Sequence, residues 1–291
     1  MIITRLNGGL GNQLFQFAAA RALSIHHQQP LLIDNRAFKV DGVRKFCLPL
    51  FMAEFLIPAD SFEGQQILPP SRNHWIAFLK WRLTHGRSLQ YLREKSLNFD
   101  PEILRAGPHC YLHGYWQSEQ YFRHAAAQIR SDLKLRIEPM GENPEWLKRI
   151  ASCASASIHV RRGDYVLDPK ASCVHGTCSV EYYRAAAIEL ANRISEPPTF
   201  FVFSDDVRWV KENLHLPFTT HYLNHNDDCH NYEDLRLMAA CNHHIIANSS
   251  FSWWGAWLGY NQHRIVIAPK IWFRDPARIN ESLVPAEWLR L

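Results

Sequence analysis

The strongest constraint on this chain is the regular alternation in its second half. Between residues 157 and 268, short apolar runs rich in β-branched and aromatic residues alternate with longer stretches at helical spacing. The pattern predicts strands over 157–161, 199–204, 219–223, 244–247 and 264–268. It predicts helices over 180–194, 207–214, 232–241 and from about 251 to 260. Strands separated by helices do not close as hairpins. They pair in parallel, with helices on both faces, as a doubly wound α/β sheet. Ligands of such sheets collect outside the carboxyl ends of the strands.

Four strand ends in this half carry polar groups. The run Ile158-His159-Val160 leads into Arg161-Arg162-Gly163-Asp164-Tyr165. Guanidinium is planar, permanently charged and matches phosphate oxygens in pairs, so two arginines at a strand end suit an anion, above all a diphosphate. The other reading is a surface ion pair with Asp164. Ser204-Asp205-Asp206 follows the next strand. Ser204 or Asp205 suits an N-cap, and Asp205 also suits ligand hydroxyls. Metal-dependent sugar-nucleotide enzymes usually separate their two acids by one residue, whereas these are adjacent. Asp234 stands at the start of the third helix, where the dipole favours an acid; a carboxylate there also suits guanine, accepting from N1–H and the exocyclic amine together. Asn248-Ser249-Ser250-Phe251 opens the fourth helix, with serines that suit either capping or a phosphate seat. Trp253, Trp254 and Trp257 lie at helical spacing and read as anchors of that helix to the sheet.

The first half begins with a strand over residues 1–6 and a turn, Gly8-Gly9-Leu10-Gly11-Asn12-Gln13. A helix from about 12 to 27 and a strand over 30–34 follow. This β-α-β start resembles a dinucleotide fingerprint with Asp34 at the ribose, but Leu14 stands where its third glycine belongs, which disfavours a nicotinamide or flavin enzyme. The glycines then serve a tight turn, or aim Asn12 and Gln13 at a ligand. Residues 41–70 are irregular, and phenylalanines at 46, 51, 55 and 62 pack short elements on the first domain. Residues 109–115 read as a strand and 116–133 as a helix. The run Pro139–Pro144 reads as a linker, giving domains 1–145 and 146–291.

From Arg72 to Lys95 six basic residues face only Glu94, with Trp75, Phe78, Leu79, Trp81 and Leu83 between them. The stretch reads as a basic amphipathic helix: either a solvated helix with one core face, or a surface for peripheral contact with the cytoplasmic face of an inner membrane. A net charge of +4 falls short of a nucleic-acid footprint. No leader is legible, and no apolar run reaches the roughly 18 residues of a membrane span. The seven cysteines are therefore expected as reduced thiols in a cytoplasm. Cys173, His175 and Cys178 leave three readings open: a metal site lacking a fourth ligand, a redox or structural pair, and a loop with thiols. A carbohydrate-binding protein would use the many aromatic rings but has no need of a diphosphate pocket.

Three separated motifs carry a resemblance. Gly8-Gly9-Leu10-Gly11-Asn12-Gln13-Leu14-Phe15-Gln16, His159–Tyr165 and Asn248–Leu258 closely resemble the α-1,2-fucosyltransferases of glycosyltransferase family 11. The resemblance implies a GT-B fold, with two Rossmann-like domains facing across a cleft. It implies GDP-β-L-fucose as donor, inversion at the anomeric carbon, a terminal β-galactoside acceptor glycan, and no metal or other cofactor. The C-terminal half would hold the nucleotide and the N-terminal half most of the acceptor. By similarity to the more distant α-1,6- and protein O-fucosyltransferases, Arg161 binds the β-phosphate, supported by His159 and Arg162. Asp234 matches a guanine-binding acid, Ser249 and Ser250 the serine pair beside the diphosphate, with Asp205 and Phe251 on the same donor side. Asn12 matches an asparagine near the reacting centre, with Gln13 beside it. The glutamate base of the α-1,6 enzymes falls here on Pro169, so that role does not transfer. Asp164, Asp168 and Asp34 are the carboxylates left for it, unless the reaction is dissociative with a weak base.

Overall fold

The computed structural model describes residues 1–40, 44–57, 68–70, 75–85, 88–259 and 261–291. Asp41, Phe62, Arg72, Arg87 and Tyr260, which the sequence reading assigns to its elements, lie outside these. The chain forms two compact units, Met1–Arg136 with Asn280–Leu283, and Ile137–Ile279 with Val284–Leu291. The sequence reading sets a boundary near 145; the units divide between Arg136 and Ile137, and the chain returns to the first unit for four residues.

In the first unit β1 (Ile2–Arg5), β2 (Leu31–Asp34), β3 (Gln90–Arg93) and β4 (Cys110–His113) form a parallel sheet in the order β2-β1-β4-β3. The β1–β2 connection is a helix over Leu10–His27, which buries Leu14, Phe15, Ala18, Ala22 and Leu23. Gly8 has φ +80, a left-handed conformation that side chains disfavour, and Gly9 is the N-cap. The chain runs from β1 to its neighbour β2 and later fills the other side with β3 and β4. The connectivity therefore reverses between β1 and β4.

In the second unit β5 (Ser155–Val160), β6 (Thr199–Ser204), β7 (Thr220–Leu223), β8 (His243–Ile245), β9 (Val266–Ala268) and β10 (Leu289–Arg290) are all parallel, ordered β10-β9-β8-β5-β6-β7. Every residue of β5 is buried, as a central parallel strand requires. Ile158 and Val160 join Phe200, Val202, Tyr183, Ala186 and Leu190 in one core. Here the order reverses between β5 and β8. This is a switch point, the place where an open α/β sheet leaves a crevice for a ligand. Two parallel α/β units make a fold of the GT-B type.

Several elements differ from the sequence reading. The stretch 72–95 is not one helix: a helix covers Trp75–His85, and the chain then enters β3. Tyr91 of β3 stacks on Tyr111 of β4 at 5.3 Å, a pairing that overrides the basic helical pattern. Over 116–133, two 3₁₀ turns precede a short helix, Ala126–Asp132. The linker runs into a helix over Asn143–Ala151, with Pro144 in its first turn, where the missing N–H costs nothing. After the arginines there is no plain loop but two short helices, Gly163–Leu167 and Pro169–His175. No helix among the described residues is long and apolar enough to cross a membrane.

Candidate active site

The carboxyl ends of β5 and β8 meet at the second switch point. β5 delivers His159 and Arg161; β8 runs through Ala247 into Asn248 and the helix Ser250–Trp257. Tyr165 ties the two ends together, donating its hydroxyl to the Asn248 carbonyl at 3.3 Å. The Asn248 amide donates to the carbonyls of His175, Gly176 and Trp272 at 3.0, 3.2 and 3.1 Å. Tyr165 also stacks on His175, 4.5 Å between ring centres. The segment after the arginines is thereby folded onto the end of β8.

Arg161 is gripped twice. Its Nη2 donates to Asp164 Oδ1 at 2.6 Å, and its Nη1 lies 3.0 Å from Asp205 Oδ2. Asp205 Oδ1 also accepts from the Arg162 backbone N–H at 2.8 Å. This closeness explains the glycine of Arg-Arg-Gly-Asp: a Cβ on Gly163 would stand 2.5 Å from Asp205 Oδ2. Arg162 points elsewhere. Its guanidinium lies 3.6 Å over the Trp209 ring and 3.3 Å from Asp206, so it is tied to the helix after β6. The cap of that helix is Asp206, accepting from Trp209 N, and not Ser204 or Asp205. Asp205 is instead the partner of the arginines.

His159 is 5% exposed and packs 5.5 Å from the ring of Phe251. Burial, and then the charge of Arg161, pushes its imidazole down to about 3, so the ring is neutral near pH 7. Its Nδ1 is buried with no hydrogen-bond partner among the described residues. Such orphaned atoms are rare and need a reason, for example a ligand. Ser249 caps the Ser250–Trp257 helix, its hydroxyl accepting from Phe251 N at 3.3 Å. Trp253, Trp254 and Trp257 are all buried and pack on one another, anchoring the helix to the sheet as the spacing predicts.

Asp234 lies in the first turn of the helix Asn231–Ala240. Its Oδ1 accepts from Asn226 Nδ2 at 2.8 Å. Asn226 also bonds Asn143, whose Oδ1 lies 2.8 Å from His225 Nε2. Burial raises the Asp234 carboxyl to about 6, with the Asn226 bond opposing and the charge of Glu233 adding. Nothing in the sequence singles out Asn226, which lies in an acidic loop. Asn143 is visible only as the residue before a helix-opening proline.

The remaining candidates belong to other settings. Asn12 sits after β1 at the first unit's switch point and accepts from Gln117 Nε2 at 2.9 Å. Gln13 spends its amide on the backbone, donating to Gly8 and Lys45 carbonyls and accepting from Cys47 N. Asp34 is buried and makes a two-pronged pair with Arg36, while the Tyr111 hydroxyl donates to it at 2.6 Å. Burial disfavours its charge, but Arg36 and Tyr111 outweigh that and hold the carboxyl below its usual range. Asp168 is exposed and caps the Pro169–His175 helix through Lys170 N at 2.8 Å. Cys173 and His175 lie on that helix, and Cys178 Sγ lies 3.5 Å from Asn248 Oδ1. Among the described residues no group of three His, Cys, Asp or Glu is placed to hold a metal, and no disulfide forms.

A permanently charged guanidinium, a neutral histidine and a serine-capped helix lie together at the carboxyl ends of β5 and β8. The sequence model of Glycosyl transferase family 11 matches residues 1–291, and the chain belongs to that family. It is 32% identical to an alpha-1,2-colitosyltransferase of Escherichia coli, covering 100% of this chain and 99% of that protein. It is 30% identical to the O-antigen biosynthesis glycosyltransferase WbnK of Escherichia coli, covering 98% and 99%. A galactoside alpha-(1,2)-fucosyltransferase 1 of Saimiri sciureus is 26% identical over 87% of this chain and 63% of its own length. Among solved structures, a point mutant of Arabidopsis thaliana FUT1 in complex with GDP shares the fold at TM-score 0.53 and 11% identity, covering 97% of this chain and 74% of that one.

Proposed function

We propose that this glycosyltransferase moves L-fucose from GDP-β-L-fucose to O2 of a terminal β-galactose, with inversion and without a metal ion. The observation that supports it is Arg161, held by Asp164 and Asp205 at the β5–β8 switch point of a chain matched from end to end by family 11. As the bond from the sugar C1 to the phosphate oxygen breaks, negative charge grows on the β-phosphate. A fixed guanidinium stabilises that charge more than it stabilises the bound donor, which is what acceleration requires. The first helix turn after β8 seats the same diphosphate, and Asp234 takes the guanine edge.

Of the three candidate bases, Asp34 is committed to Arg36 and Tyr111, and Asp168 to a helix cap. Asp164 is the one beside Arg161. When phosphate oxygens take the guanidinium, Asp164 is displaced and accepts the proton of the galactose 2-hydroxyl. That oxygen then bonds to C1, and GDP leaves from the opposite face. The acceptor fits an O-antigen intermediate, as the name of the 30% relative suggests.

The 32% relative favours a second reading, in which colitose is transferred from its GDP conjugate. Colitose lacks one ring hydroxyl of L-fucose, so the two donors differ by one hydrogen-bonding group. One assay separates them: each GDP-sugar is supplied with lactose and a lacto-series disaccharide in EDTA, and the linkage is read by NMR. A 1,2-linked fucoside supports the first reading, and a colitoside alone the second. Absence of GDP release with any galactoside, or dependence on added metal, overturns the proposal.

A further inference from the structure

We infer that the outer face of the Trp75–His85 helix is a docking surface for an anionic lipid bilayer, a surface independent of the transfer site. This helix has two apolar faces. Phe78 and Trp81 point inward, packing with Tyr91 and with the core of Ile3, Leu32, Leu89 and Tyr111. Among the described residues, that face packs the helix on the first unit. Four further large apolar residues point outward: Trp75 is 68% exposed, Ile76 54%, Leu79 50% and Leu83 73%. At about 3.6 residues per turn they fall within an arc of about 100°. A soluble surface tolerates scattered apolar residues, but a contiguous stripe of four marks an interaction face.

Charge decides the occupant. At the same helical geometry Lys80 and Arg82, both exposed, flank the apolar arc on either side. The helix contains no Asp or Glu. The next acid in the chain, Glu94, is turned to the backbone, accepting from Tyr115 N and Trp116 N at 2.8 and 2.9 Å. An apolar stripe between cations is the pattern of a helix lying in the headgroup layer of an anionic membrane. There the stripe enters the acyl boundary, and the cations meet phosphates. A tryptophan at the end of the stripe suits that boundary, where an apolar ring and an N–H are both accommodated.

The test is co-sedimentation of the full chain with vesicles of phosphatidylcholine, with and without phosphatidylglycerol, at low and high salt. The expected result is binding to the phosphatidylglycerol vesicles, weakened by salt, with brominated lipid quenching the part of the tryptophan emission that Trp75→Ser removes. Lys80→Glu and Arg82→Glu each weaken partitioning by roughly fivefold or more. Trp75→Ser combined with Leu83→Ser abolishes it at any salt, while turnover on a soluble galactoside is unchanged. All these positions are exposed, and circular dichroism with a melting curve confirms the fold of each variant. Failure of the native chain to bind anionic vesicles at low salt overturns the inference, as does equal binding by native and substituted chains. Sedimentation equilibrium provides one more outcome: self-association lost in Leu79→Ser/Leu83→Ser, without vesicle binding, assigns the face to a second copy and overturns the lipid.

Discussion

Arg161 and Arg162 are adjacent in sequence and differ entirely in surroundings. Arg161 faces two carboxylates at the strand end, while Arg162 lies flat on Trp209 beside Asp206. On the proposed function, removing the first is a catalytic change. Arg161→Ala is expected to retain the fold and lose at least about 100-fold in kcat, the worth of one fixed donor to a developing anion; steady-state assay of a variant with a native circular dichroism spectrum checks it. Asp234 makes a prediction about pH. Its carboxyl is raised to about 6, and in the proposed donor site only the ionised form would accept two N–H groups from guanine. GDP affinity is then full above pH 7 and falls as pH drops through 6, by about tenfold at pH 5. Titration calorimetry across that range tests this, and Asp234→Asn removes the pH dependence along with most of the affinity.

At the scale of elements, the Ser250–Trp257 helix joins site and core. Its N-terminal turn faces the switch point, and its three buried tryptophans fix its position, with Trp288 packed 5.3 Å from Trp253. Ser249→Ala removes the cap and should cost about 1 kcal/mol in urea unfolding, with a parallel loss in GDP affinity. The start of this helix was legible in the sequence, because a serine cap and an apolar spacing are local signals, whereas its end at Trp257 comes earlier than the expected 260. Also legible was the alternation that fixes the sheet of the second unit. The cap of the helix after β6 was only partly legible: Ser204-Asp205-Asp206 shows that a cap exists, but which residue serves depends on Arg161 drawing Asp205 away. The split of the 72–95 stretch into helix and strand was not legible, since Tyr91 is placed by its stacking on Tyr111. Nor was the bond from Asn226 to Asp234, which spans a loop with no periodicity. Pairings across the fold decided these cases.

The last dozen residues contribute to both units of the molecule. Asn280–Leu283 belongs to the first unit, where the Ser282 carbonyl accepts from Ser118 Oγ at 2.9 Å. Val284–Leu291 returns to the second, where Leu291 bonds Ala268 and Lys270 and Trp288 is buried. Deleting residues 280–291 removes material from both cores at once. The loss of the buried Trp288 alone is worth about 3–5 kcal/mol, so a chain ending at Ile279 should melt well below the full chain. Differential scanning calorimetry checks it: an unchanged melting profile would mean that the units do not depend on this segment.

Asp164 and Asp205 balance the charge of Arg161. In the proposed reaction an incoming diphosphate therefore exchanges one set of oxygens for another and does not meet a bare cation. The exchange runs equally well in reverse. When the spent nucleotide departs, the two aspartates re-close on the guanidinium, and no unbalanced charge holds the product back. Such a latch shortens the residence time of GDP at some cost in its affinity. It allows the group that stabilises the leaving anion most strongly to release it quickly once the sugar has gone.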